Sequence, residues 1–120
     1  MRTRSHEPIV WSLFGAGGVF AALLGTMLVL IIGILVPMGL GFGPEAMHYD
    51  SLRGLFGHPL PALGLAVVIS LFLFHGAHRI YHTLHDLGIP ASKKMMLACY
   101  GSAAAGSGVA LLLAGMLVVF

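Results

Sequence analysis

Four histidines, His75, His78, His82 and His85, close an uncharged apolar run, and Arg79 and Asp86 stand beside them. At about 100° per residue the four fall within roughly 80° of one another on a helix, so a titratable stripe lies where an apolar helix meets water. Histidine exchanges protons near neutral pH, and a guanidinium stays charged. At a membrane edge such groups suit work on a lipid-soluble carrier of protons and electrons, of which a quinone is the first candidate. The plainer reading is a solvated helix end with a snorkelling arginine.

Trp11 and Phe14 are three residues apart and share a helix face beside the flexible Gly15-Ala16-Gly17-Gly18. A lone interfacial tryptophan is explained by an aromatic belt alone. If the same membrane depth also receives His78 and Arg79, however, a flat ring would find aromatic walls with hydrogen-bond donors at its edge. Quinone chemistry moves protons with electrons, and the ring oxygens change between acceptor and donor. Arg79 would polarise a carbonyl, and His82 and His85 are the candidates for passing protons to water.

The electrons must come from another chain. The glycine run opens a membrane helix instead of following a strand, so it is no dinucleotide fingerprint. Cys99 is the single cysteine, which excludes an internal disulfide and an iron-sulfur cluster held by this chain. Haem is the sharpest rival, yet the apolar runs before and after the histidine stripe hold no histidine, so a bis-histidine site would need a ligand from a partner. No other metal site is expected. A channel or transporter component would call for charges deep in the apolar runs, and there are none.

The elements that carry these residues follow from composition. With 58% hydrophobic and 8% charged residues among 120, and a mean hydropathy of +0.99, the chain is no soluble globular domain. A crossing takes about 20 residues, so the length allows three and leaves no separate soluble unit. The expected fold is an all-α membrane protein, a single domain over 1–120. Its three transmembrane helices cover about 11–37, 60–82 and 95–120, and a short interfacial helix from Pro44 to about Phe56 lies between the first and second. Pro8 suits a first helical turn, with Glu7 well placed against the helix dipole. Pro37, Gly39, Gly41, Gly43 and Pro44 break the first span, and Gly88 and Pro90 end the second. Met47, Leu52, Leu55 and Phe56 are available to lie on the lipid surface.

The formal charge of +2 rests on six basic residues spread over loops, which argues against a nucleic-acid partner. Arg2 and Arg4 precede an apolar run, but the uncharged stretch between Glu7 and Glu45 far exceeds a signal core and is expected to stay as a helix. Arg2, Arg4, Arg79, Lys93 and Lys94 fall on one side of the membrane and Arg53 alone in the loop after span one, so the N-terminus is expected in the cytoplasm and the C-terminus on the far side. Small residues recur at every fourth position in Ala98, Ser102, Gly106, Ala110 and Ala114, and again in Gly17, Ala21 and Gly25. Such seams let helices approach closely, and two of them in a three-helix chain point to packing against a further membrane chain.

The run Glu7-Pro8-Ile9-Val10-Trp11-Ser12-Leu13-Phe14-Gly15-Ala16-Gly17-Gly18, together with His78-Arg79-Ile80-Tyr81-His82-Thr83-Leu84-His85-Asp86-Leu87, resembles the hydrophobic D-type anchors of bacterial fumarate reductase. Length, three spans and charge asymmetry fit along the whole chain. The resemblance implies a non-catalytic anchor in the inner membrane, within a four-subunit complex. A flavoprotein subunit with FAD would reduce fumarate, and an iron-sulfur subunit would relay electrons from menaquinol. This chain and a second three-helix anchor subunit would hold both on the cytoplasmic face and form the menaquinone pocket, without haem. The family roles carried over are quinone contacts by Trp11, Phe14, His78 and Arg79; His75 receives none.

Overall fold

The computed structural model describes residues 7–120, all of whose regular structure is helical. Arg2, Arg4 and the side chain of Glu7 lie outside the described residues. Span one begins as α1 (Glu7–Phe20), passes through a π-helical turn (Ala21–Gly25), continues as α2 (Thr26–Leu30) and ends in a second π-helical turn (Ile31–Leu35). After Pro44–Met47, a 3₁₀ turn, come α3 (Tyr49–Phe56), α4 (Pro59–Asp86) and α5 (Lys93–Val119). Three segments, Trp11–Leu35, Pro59–Asp86 and Lys93–Val119, are long and apolar enough to cross a membrane, so the chain is a multi-pass membrane protein.

The ends of the helices have local causes. Pro59 takes the first turn of α4, where its missing N–H costs nothing. Gly88, at φ +85, adopts the left-handed conformation that stops α4, and the Ile89 N–H donates to the Leu84 carbonyl across it at 3.1 Å. Ser92 caps α5 by accepting from the Met95 N–H at 3.1 Å. Span two therefore runs one turn beyond the expected residue 82, which keeps His85 and Asp86 on the helix.

The segment between spans one and two divides at His48, whose extended backbone separates the 3₁₀ turn from α3. Instead of resting on lipid alone, α3 packs against both α4 and α5. Arg53 fixes it there, donating to the Tyr49 hydroxyl at 2.8 Å and to the Phe120 carbonyl.

The small-residue seams work in part. Ala114 is buried against Ala62 and Ala66, with Ala110 packed alongside, and a methyl group on Gly106 would stand 2.9 Å from a Leu73 methyl. Nearer the start of α5 the buried residue is Ala103, facing a helix on which Ala77 is buried, while Ala98 and Ser102 are exposed. A strict four-residue row drifts by about 40° per step around the helix, which carries its far end off the contact.

In span one, Gly17 is buried: an added Cβ would lie 2.7 Å from the Leu71 carbonyl oxygen and 3.0 Å from the His75 Cβ. Gly25 meets nothing within 4 Å. Eight residues separate the two glycines, a rotation of about 80° around an α-helix, and the π-turn that begins at Ala21 marks where the packed part of span one ends. Extensive contact between the first and second spans is accordingly confined to Glu7–Phe20. From Ala21 to Leu35 no residue is buried, leaving the second half of span one open to lipid or another membrane chain.

Candidate functional site

The start of α1 and the histidine-bearing end of α4 meet through aromatic rings. Trp11 and Phe14 pack edge to face at 5.8 Å, as their three-residue spacing on one helix face dictates. Phe14 then reaches across to α4, its ring 4.1 Å from His78 and stacked on His75 at 4.8 Å with 16° between planes. Trp11 meets His78 edge-on at 5.9 Å and completes a triangle of rings with Phe14. Gly17 and Gly18 permit this approach: a Cβ on Gly18 would come within 3.0 Å of the His75 ring.

His75 also ties the helices by hydrogen bond. Its Nδ1 lies 3.3 Å from the Phe14 carbonyl oxygen, which can only accept, so this nitrogen carries the proton. The family resemblance gives His75 no role; here it backs the Phe14 ring and anchors the Phe14 backbone.

His78 is the centre of the cluster. Besides Phe14 and Trp11 it meets His82, one turn on, at 4.3 Å, and its Nδ1 is 2.7 Å from the Tyr100 hydroxyl on α5. Tyr81 flanks His82 at 5.4 Å and Tyr100 at 5.7 Å. Arg79 and His85 are exposed on the same helix, outside the ring cluster. Thus Trp11, Phe14, His78 and His82 come together, while Arg79 and His85 flank them.

Tyr100 was not among the residues singled out from the sequence. Depth counting offered the signal: Tyr100 lies seven residues into α5 and His78 eight residues from the end of α4, which at 1.5 Å per residue puts both at about 10–12 Å from the same loop.

Beside the cluster is a cleft of about 460 Å³ that descends between the spans. His78 and Tyr100 stand at one end of its lining, and Phe14, Phe74, Leu71 and Val67 line its apolar length. Ser70, also on its wall, donates its hydroxyl to the Ala66 carbonyl at 2.7 Å and so presents little polarity to the interior. The volume falls within the range of small-molecule sites, and a nearly wholly apolar trench bordered by His78 and Tyr100 suits a mostly apolar ligand.

The sequence model of the fumarate reductase D-subunit family matches residues 1–117. Among individual proteins, the chain is 42% identical to the fumarate reductase D-subunit of Aliivibrio salmonicida over 101 residues, covering 84% of this chain and 83% of the relative. It is 43% identical to that of Shewanella putrefaciens over the same length and shares. With that of Vibrio vulnificus the identity is 39% over 114 residues, 95% of this chain and 90% of the relative. Matched along nearly its whole length, with three apolar spans that end in this aromatic and histidine cluster, the chain belongs to the D-subunit family of fumarate reductase.

Proposed function

We propose that this chain is a membrane anchor of a quinol:fumarate reductase in the bacterial inner membrane. It holds the flavoprotein and iron-sulfur subunits on the cytoplasmic face, together with a second anchor subunit, and contributes to the menaquinol site. The observation that carries the quinone reading is the junction of Phe14 and His78, which joins an aromatic wall from span one to a proton-exchanging group from span two, both lining the cleft.

The residues fit the ligand. Phe14 and Trp11 offer ring faces to a flat headgroup, and Arg79 supplies fixed positive charge at its edge. His78 exchanges a hydrogen bond with a ring oxygen, since imidazole nitrogen donates or accepts according to protonation. His82 and the exposed His85 continue the titratable path toward water. The apolar trench along Phe74, Leu71 and Val67 receives the isoprenoid tail. Menaquinol, when bound, delivers electrons to the iron-sulfur subunit and protons to these groups. Haem is no part of this reading: His75, His78, His82 and His85 all belong to α4, with no histidine on α1 or α5, so bis-histidine ligation would need its second ligand from a partner chain.

Arg79→Ala in the intact complex tests the proposal. Fumarate reduction driven by a reduced naphthoquinone is expected to fall by about tenfold or more, the loss of one charge-assisted contact, while reduction driven by a viologen dye persists. Unchanged quinol-driven turnover would leave the chain a purely structural anchor.

A further inference from the structure

We propose that Tyr100 is a positioning residue that sets the orientation and proton pattern of His78; the inference rests on the quinone reading of the site. Span three carries no charge beyond Lys94, and from it Tyr100 alone reaches the histidine cluster by hydrogen bond among the described residues.

The geometry defines the role. The His78 imidazole is confined between Phe14 at 4.1 Å and His82 at 4.3 Å, and its Nδ1 is engaged by the Tyr100 hydroxyl at 2.7 Å. Only Nε2 is left to meet a ligand. Tyr100 is itself held by its ring, half-buried against Tyr81 at 5.7 Å, so the hydroxyl has a fixed place.

The choice of a phenol has a chemical consequence. A carbonyl or carboxylate at this point would hold the proton on Nδ1, and an ammonium would hold it off. A hydroxyl does either, donating to a bare Nδ1 or accepting from Nδ1–H. His78 keeps the same anchor whether Nε2 donates or accepts. A ligand whose oxygens alternate between carbonyl and hydroxyl requires that of its partner.

Tyr100→Phe in the whole four-subunit complex removes the hydroxyl and keeps the ring. Turnover with a reduced short-chain naphthoquinone is expected to drop about tenfold, in line with one lost hydrogen bond, while the amount of assembled complex holds. The decisive readout is coupling: in a His78→Ala background, Tyr100→Phe is expected to cause no further loss, which a general packing role would not predict. Tyr100→His, which returns a donor and acceptor, is expected to recover part of the rate and covers the case in which Tyr100→Phe fails to assemble. Losses that multiply in the double variant would overturn the proposal, as would full quinol turnover in Tyr100→Phe while His78→Ala is impaired. If His78→Ala and Arg79→Ala also keep full quinol turnover, it is the quinone reading itself that falls.

Discussion

The ring of Phe14 lies 4.1 Å from the imidazole of His78, centroid to centroid, and this contact couples the start of the first span to the end of the second. Phe14 also touches Trp11 and His75, so one side chain serves as the hinge pin of the cluster. Aromatic pairs contribute about 0.5–1.5 kcal/mol each beyond simple burial. Phe14→Ala is therefore expected to reduce quinol-driven turnover more than Trp11→Ala does, since Trp11 is 62% exposed and makes fewer contacts. Steady-state rates of the two variants, compared at equal complex content, check the order.

Gly17 and Gly25 are expected to respond in opposite ways. Gly17→Leu drives a side chain into the Leu71 backbone and His75, an overpacking that costs about 1–3 kcal/mol and parts the two spans. Its signature is a lowered thermal midpoint of the complex with weakened quinol turnover. Gly25→Ala meets nothing within the chain, so its own fold is expected to keep its stability. A loss of assembly in Gly25→Ala would then locate another membrane chain against the second half of span one.

Arg53 binds α3 to the end of α5 through the Phe120 carbonyl and braces itself on the Tyr49 hydroxyl. Arg53→Ala is expected to loosen this clasp. Limited proteolysis of the complex should cleave between Gly43 and Gly57 several times faster than in the parent. Quinol turnover, which depends on the opposite end of the bundle, should stay near the parent value.

Orientation is open to direct test. Five of the six basic residues fall on the side of the N-terminal tail and the loop after α4, and that side is expected to be cytoplasmic. Alkaline phosphatase fused after Phe120 should be active and green fluorescent protein at the same point dark. The reverse pattern would place the histidine cluster on the wrong face for an iron-sulfur partner in the cytoplasm.

Much of this chain was legible in one dimension, because a bilayer imposes simple rules. Apolar runs of membrane-spanning length must be helices, for no other local structure satisfies their backbone in hydrocarbon. The breakers at Pro37 and Gly88 and the histidine periodicity are equally local properties, as was the Trp11–Phe14 pairing. Three features needed the third dimension. The π-turn at Ala21–Gly25 depends on how backbone bonds shift along a uniformly apolar segment, and extensive contact with α4 stops before it, leaving Gly25 without the neighbours that Gly17 has. The crossing of α1 over α4 made His75 a support for Phe14, and the antiparallel return of α5 brought Tyr100 to His78 from 22 positions along the chain. Sequence alone determined which residues stand at the ends of the apolar runs. Which of them touch was decided by the crossing points of the helices, where glycines permit contact and by how far each helix is rotated, and those are set by packing between segments that no single segment encodes.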